Sequence, residues 1–390
     1  MAGFFPLFFK NYYSAGTNPT EATAWLGIAN SIGSLLIALS APILGSIADS
    51  GSYFKKFLMA STILGAIATG LLASVGQGDW TTAAMLYVAA SVAFGAAIAF
   101  YDALLPQVSN SQNVHKVSAL GYSYGYLGGG VLFTVNVLMF QKPEMFGLAN
   151  GEEAVKASFL SVSIWWVLFS LPLFFFVKEK KSSKKFMEAT RSGAKQLFTT
   201  LKSFRELENV GIFLLAFFLY NDAVGTTIKM AIDYGISLGF PSSSLITALL
   251  LVQFIGFPCA IIFGKLTDKI HPKTGIYAAI FIYILGIAFA MQMRQVSEFY
   301  ILAALIGLVQ GGIQALSRSY FSLLIPPGKD GQYFGFYNML GKFTGLLGPA
   351  LMGLTAVVTG SHRIALVPVM LLFFAGAFFL RKVKDRKPTV

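Results

Sequence analysis

One cysteine, three histidines and a sparse set of charges limit what this 390-residue chain can be. Cys259 stands alone inside an apolar run, so no intramolecular disulfide is possible. His115, His271 and His362 fall at scattered positions in predicted loops, without the spacing of a metal site. No phosphate-cradling glycine-lysine loop occurs, which argues against ATP-driven work by this chain. Gly128-Gly129-Gly130 lies mid-span and is no nucleotide fingerprint. No asparagine has a usable glycosylation context, and Asn18-Pro19-Thr20 is spoiled by its proline. With no catalytic set and no cofactor motif, the chain does not read as an enzyme.

What is present is apolar. Charged residues make up 12% of the chain and hydrophobic ones 55%, with 37 phenylalanines, against about 25% charged for a soluble average. Runs such as 31–41, 57–75, 157–177 and 364–380 read as membrane helices, which need about 20 mostly apolar residues. Eleven full spans are expected, at 22–48, 54–76, 81–105, 116–140, 156–178, 209–235, 242–264, 274–292, 297–324, 332–358 and 363–381. Residues 1–178 then form an N-terminal lobe, 179–208 a central linker and 209–390 a C-terminal lobe. Ahead of the spans comes Met1–Tyr13, apolar but only about 20 Å long as a helix. It reads as the outer half of a first helix whose inner half lies upstream. A cleaved signal peptide is the rival, but Lys10 follows the apolar stretch instead of preceding it.

The net charge of +12 would point to nucleic acid in a soluble chain. Here the cations cluster in loops beside apolar segments, so topology is the better reading and no nucleic-acid partner is expected. Lys178–Arg205 carries nine, Arg381–Lys387 five, and the loops holding Lys55, Lys56, Lys116, Lys265, Lys269, Lys273 and Lys329 the rest of one side. Lys10, Lys142, Lys156, Arg294 and Arg363 mark the other. The richer side is cytoplasmic, which places the central loop and C-terminus inside the cell, as for a bacterial inner-membrane protein. In the linker, Phe186, Thr190, Leu197, Leu201 and Phe204 share one helical face amid basic residues. This predicts an amphipathic helix on the inner leaflet, with a solvated linker as the alternative.

Two short strings repeat. Gly45-Ser-Ile-Ala-Asp49 and Gly264-Lys-Leu-Thr-Asp268 share the spacing Gly-x-x-x-Asp, end an apolar run and precede lysines. One copy per half-chain signals duplication. Asp49 and Asp268 lie at cytoplasmic exits of spans, so a gating role is expected, each latching onto a neighbouring helix. An aspartate near a helix N-terminus is favourable.

Ionisable groups inside spans are costly and therefore functional suspects. Asp222, in Tyr220-Asn221-Asp222, is near mid-membrane; Lys229 and Asp233 further along form an i, i+4 pair that can satisfy itself. Lys342 is also near mid-depth, to bind an anionic group or to snorkel. Gln310, Gln314 and Arg318 make a polar stripe down one face of their span. Asp102 and Arg318 sit at equivalent depths of the two halves and are the expected cytoplasmic gate pair; the alternative is that each caps its own helix. Gly121, Gly125 and Gly128–Gly130, and Gly341, Gly345 and Gly348, permit close helix approach.

The strings Ser40-Ala-Pro-Ile-Leu-Gly-Ser-Ile-Ala-Asp49, Phe100-Tyr-Asp-Ala-Leu-Leu-Pro106, Gly121-Tyr-Ser-Tyr-Gly-Tyr-Leu-Gly-Gly129, Phe218-Leu-Tyr-Asn-Asp222, Gln310-Gly-Gly-Ile-Gln-Ala-Leu-Ser-Arg-Ser319 and Phe334-Gly-Phe-Tyr-Asn338 resemble the "unknown major facilitator" family of the major facilitator superfamily. That family is similar to the autophagy-linked vacuole effluxers, which export amino acids. The resemblance implies an all-α membrane fold of two six-helix lobes, with helix 1 represented here by its outer half: eleven full spans plus a stub. Family members open helix 1 with a Tyr-Asp string that is absent here, and Tyr220-Asn221-Asp222 looks like its counterpart.

The reading is a secondary carrier of small polar solutes, amino acids among them, working by alternating access as a monomer and coupled to protons. A zwitterion suits Asp222 with Lys342, and Asn221, Gln310, Gln314, Asn338 and Tyr126 supply hydrogen bonds. Asp222 is also the proton-coupling candidate, because withdrawal from water favours the neutral form of a carboxyl group. Two alternatives remain: a non-transporting receptor or scaffold, and an exporter of lipids or drugs with an aromatic cavity. The gate reading makes a prediction. Reversal of either Asp102 or Arg318 alone abolishes transport, and the double reversal Asp102→Arg/Arg318→Asp restores part of it; proteoliposome uptake without any rescue counts against the pair.

Overall fold

The computed structural model describes residues 4–179, 187–193, 208–267, 269–343 and 347–384. Among them there is no strand, and the helices are α1 (Phe5–Phe8), α2 (Pro19–Gly51), α3 (Phe54–Leu71), α4 (Trp80–Ala103), α5 (Leu105–Val108), α6 (Val114–Gln141), α7 (Gly151–Phe176), α8 (187–193), α9 (Glu208–Ser237), α10 (Ser242–Leu266), α11 (Pro272–Ala290), α12 (Val296–Leu324), α13 (Asp330–Phe343), α14 (Leu347–Thr359) and α15 (Val367–Lys382). Ten of these segments are long and apolar enough to cross a membrane, and Leu347–Thr359 is a shorter apolar helix. The chain is thus a multi-pass, all-α membrane protein. Large apolar side chains remain exposed on the helix surfaces, as at Leu64, Phe175 and Val357. In water this would be ruinous; against lipid it is the ordinary condition of a spanning helix.

Of the expected span over 332–358, the structure describes α13 up to Phe343 and α14 from Leu347.

Packing divides the chain into two compact units that do not follow the order of residues. The first holds residues 1–104, 131–197 and 329–339; the second holds 105–130, 198–328 and 340–390. Within the first, α3 packs on α4 and α7, and α2 on α4. Glycines allow the closest approaches: a Cβ on Gly65 would overlap the Trp166 ring, and Ser163 on α7 donates to the Ala66 carbonyl at 2.7 Å. The N-terminal segment is helical through Tyr13 and is seated in an aromatic cluster. Phe5 stacks on Tyr87 at 4.1 Å, Tyr13 donates to the Leu72 carbonyl, and Lys156 donates to the Tyr12 hydroxyl at 2.7 Å. Within the second unit, α10 packs on α12, α9 on α15 and α11 on α12.

Within the linker, residues 187–193 are helical, and the face they pack is not the one expected. In α8, Ala189 and Gly193 are buried, and Ser46 donates to the Gly193 carbonyl at 2.6 Å. A Cβ on Gly193 would come within 2.9 Å of the Ile47 backbone, so α8 docks on α2 through its smallest residues. Thr190 is half-buried; Phe186, Leu197, Leu201 and Phe204 lie outside the described residues.

Glu179 does work that its sequence position does not advertise. Its two oxygens accept from the Phe54 N–H at 2.6 Å and the Lys55 N–H at 3.2 Å, capping α3 from 125 residues away, while Lys55 Nζ donates to the Val177 carbonyl. Burial raises the Glu179 carboxyl above its ordinary range, and the two N–H groups oppose this. The folded chain therefore holds this proton more tightly than the unfolded chain. Its contribution to stability is greatest below the ordinary carboxyl range and is lost as pH rises through the raised value. Glu179→Gln should flatten that part of the profile, as read from unfolding midpoints across pH 4 to 8. An unchanged slope rejects the assignment.

Candidate functional site

In the second unit a polar seam runs along α9 and α12. Tyr220 is fully buried, and its hydroxyl pairs with Ser317 Oγ at 2.7 Å. A Cβ on Gly376 would stand 2.8 Å from Tyr220 Cβ, so this glycine lets α15 close on α9. Two residues on, Asp222 is also fully buried, in the middle of its span. Its Oδ2 accepts the Gly348 N–H at 2.6 Å, in the first turn of α14. A carboxylate midway along one apolar span thus binds the backbone of another described helix. Gly348 is needed for the contact: a Cβ there would overlap Thr226 Oγ1 and stand 2.9 Å from Asp222 Oδ2.

The stripe on α12 is where the sequence places it. Gln314 Nε2 reaches Asn221 Oδ1 at 3.5 Å, a long contact. Gln310 Oε1 is buried without a hydrogen-bond partner. The Tyr126 ring lies against α10 and α12 where Gly256 and Gly311 open space, 3.1 Å and 3.0 Å from the Cβ positions those glycines lack. The Tyr283 hydroxyl, within electrostatic range of Tyr126, is buried and unpartnered as well. The structure therefore links Gln314 to Asn221, the neighbour of Asp222, and sets Tyr126 beside Gln310 one turn earlier on α12. Lys342 lies in α13, but its side chain is outside the described residues.

Asn338 belongs to the first unit, where its amide donates to Asp102 Oδ2 at 3.1 Å and to the Phe334 carbonyl at 3.0 Å. Asp102 is buried there. Arg318 belongs to the second unit and is buried as well: Nε donates to Ser118 Oγ at 3.0 Å, Nη2 to the Ser118 carbonyl at 2.9 Å, and the guanidinium lies over the Tyr122 ring. Beside it, His115 pairs with Ser319 at 2.7 Å. His115 is in the first turn of α6, not in the loop that the sequence suggests. Ser118, Tyr122 and Thr226 carry no signal in the sequence, since ordinary small or aromatic residues acquire their roles only from the helix that faces them. Lys229 and Asp233 are both exposed, and among the described residues no salt bridge joins them.

The repeated Gly-x-x-x-Asp string has a clear geometry in its first copy. Asp49 Oδ1 accepts the Gly331 N–H at 2.7 Å and Oδ2 the Gln332 N–H at 2.8 Å, which caps α13. The approach is possible because Gly45 has no side chain: a Cβ there would overlap the Gly331 carbonyl. One residue type supplies space and the other the acceptor, four positions apart on the same face of α2. In the second copy Gly264 plays the spatial part, since a Cβ would overlap Ala119 on α6; Asp268 lies outside the described residues.

Known proteins share this design. Residues 10–389 match the model of the family described as "Vacuole effluxer Atg22 like". The chain is 36% identical over 388 residues to an uncharacterized MFS-type transporter, YxiO, of Bacillus subtilis (strain 168), covering 99% of this chain and 90% of that protein. It is 24% identical over 350 residues to autophagy-related protein 22 of Kluyveromyces lactis, covering 81% and 70%. Among solved structures, the proton:xylose symporter XylE superposes with a TM-score of 0.74 at 14% identity, over 98% of this chain and 91% of that one. The fold is that of the major facilitator superfamily, whose members are membrane transporters and not enzymes. This chain belongs to the Atg22-like vacuole effluxer family within it.

The Asp49 cap can be tested directly. Asp49→Ala strands the N–H groups of Gly331 and Gln332 and should cost about 1–2 kcal/mol. Asp49→Asn, which keeps one good acceptor, should fall in between. Unfolding midpoints of the purified protein in detergent will rank the three, and an alanine variant as stable as wild type removes the cap from the fold.

Proposed function

We propose that this transporter carries small polar solutes, amino acids first among them, by alternating access coupled to protons, with Asp222 as the coupling group. The observation that supports this reading is a fully buried carboxylate at the middle of an apolar span. An aspartate at the centre of a membrane helix costs roughly 2.5–3.5 kcal/mol on insertion scales. A hydrogen bond to a charged group returns about 1.5–3 kcal/mol. The two nearly cancel, so Asp222 gains the fold little that an apolar residue would not, and a functional demand is the better account of it.

Around Asp222, Asn221, Gln310, Gln314 and Tyr126 offer amides and a hydroxyl of the kind that orient a polar solute, and Lys342 is the complementary charge in the sequence. Asn338 joins this reading as support for Asp102. Asp49, Asp102, Arg318 and Asp268 are the gating set. The direction proposed is efflux, in keeping with the family's description. The excess of cations on the central segment and C-terminal tail favours a cytoplasmic location for both, in a bacterial inner membrane, with the monomer as working unit and residues 1–178 and 209–390 as its two lobes.

A second reading, export of lipids or drugs, draws on an apolar groove of about 1020 Å³ in the first unit, lined by Trp25, Ile32, Leu36, Leu64, Trp80 and Met85 among others. Several of these side chains are exposed, as lipid-facing residues are, which leaves the buried polar seam the stronger candidate.

Asp222→Asn should abolish accumulation of amino acids against a gradient in proteoliposomes while sparing counterflow exchange. Concentrative uptake equal to wild type removes Asp222 from the coupling step.

A further inference from the structure

Two buried polar atoms in the second unit share one depth and lack partners. Tyr283, on α11, is 2% exposed, and its hydroxyl meets no hydrogen-bonding group. Gln310 Oε1, on α12, is unmet as well. A polar atom withdrawn from water without a partner weakens the fold that holds it, so it calls for an explanation. The depth follows from two pairings. Tyr220 pairs with Ser317, and Tyr234 donates to the Ala290 carbonyl, at 2.7 Å in both cases. Successive spans alternate in direction, so α11 runs with α9 and α12 against it. Two turns from these pairings lie Gln310 in one case and Tyr283 in the other, and both are then about level with Thr227 of α9.

Tyr126 of α6 connects them. Its hydroxyl is hydrogen-bonded to the Gln310 side chain and lies within electrostatic range of Tyr283. Because Oε1 has no partner, the Gln310 nitrogen is the donor in that bond, and the Tyr126 hydroxyl keeps its own proton to give. The ring rests against Gly256 and Gly311, where a side chain would crowd it. Tyr126 and Gln310 are half-buried, so the cluster opens on one side, with Tyr283 at its closed end. It offers two O–H donors, from Tyr126 and Tyr283, and one carbonyl acceptor, from Gln310. None of the three is charged. Of the charged groups nearby, Arg318 is held by Ser118 and Asp222 accepts the Gly348 N–H. A charged guest would lose its water here without an opposite charge to replace it, whereas a carboxamide would exchange water for equivalent hydrogen bonds.

Resting on the transport reading above, we propose that Tyr126, Tyr283 and Gln310 form a subsite for an uncharged, hydrogen-bonding group of the solute, the side-chain carboxamide of glutamine or asparagine. The carboxamide oxygen accepts from the two tyrosine hydroxyls, and its nitrogen donates to Gln310 Oε1. An apolar side chain of similar size leaves all three groups unmet, which is how a buried polar pocket rejects an isostere. Glutamine is therefore favoured over leucine. Tyr283 is the specificity residue that the sequence conceals, since a tyrosine in an apolar run breaks no pattern. Its hydroxyl gains the empty protein nothing and is accounted for by what it binds.

Stability and selectivity, measured on the full chain, test the proposal together. Tyr283→Phe deletes the unmet hydroxyl and little else, so the ligand-free protein in detergent should unfold at the same temperature as wild type or a higher one. In wild type, glutamine should raise the unfolding midpoint more than leucine does at equal concentration, and proteoliposomes should prefer glutamine. That preference should fall about tenfold in Tyr283→Phe and in Gln310→Met, the second variant covering a failure of the first to fold. A lower midpoint for ligand-free Tyr283→Phe shows the hydroxyl to be part of the fold and overturns the subsite. So does a preference that survives both substitutions. A raised midpoint without any glutamine-specific shift in wild type means that water alone meets the hydroxyl, and it overturns the subsite as well. Uptake of leucine without preference for glutamine overturns the subsite and leaves the transport reading standing. A glutamine shift that both substitutions abolish, without uptake of any amino acid, supports the subsite and removes amino-acid transport.

Discussion

The structure depends on carboxylates that cap helix N-termini. Lipid offers no hydrogen bonds, so each helix that begins away from water must have its first N–H groups met from within the protein. Twice among the described residues a distant acid meets them, Glu179 for α3 and Asp49 for α13, and Asp222 likewise accepts the Gly348 N–H. Each arrangement joins a charge that dislikes its surroundings to a helix end that would otherwise be unpaired. The interaction is directional and holds one helix in register with another, whereas apolar packing in a membrane permits sliding.

Capping of this kind needs close backbone approach, and the glycines provide it. A carboxylate on a short aspartate stem reaches the first turn of a facing helix only if little stands between them. Gly45 clears the way for Asp49, and Gly348 is itself the donor to Asp222. At Gly331 the constraint is mutual, since a Cβ there would come within 2.5 Å of the Gly45 carbonyl. Substitution on either side meets backbone, which cannot rotate away as a side chain can. The spacing Gly-x-x-x-Asp is therefore one device: the glycine brings two helices together, and the aspartate one turn later fastens them.

The fold was legible because its signal is crude and strong. Runs of 19 to 30 residues that cross a membrane leave little ambiguity. Asp49 was legible because duplication printed its motif twice, and Asp222 because any carboxylate in such a run stands out. Glu179 was illegible because it breaks no pattern locally and acquires its role from Phe54, far along the chain.

Two helical stretches change membership from one compact unit to the other, and both do so beside glycine. In α6 the change falls after Gly130, at the end of Gly128-Gly129-Gly130; in α13 it falls between Met339 and Leu340, just before Gly341. A helix interior weakened by glycine bends at lower cost than one built of leucine and alanine, by about 1 kcal/mol per position. The three adjacent glycines of α6 therefore mark a place where that helix yields more readily than its neighbours.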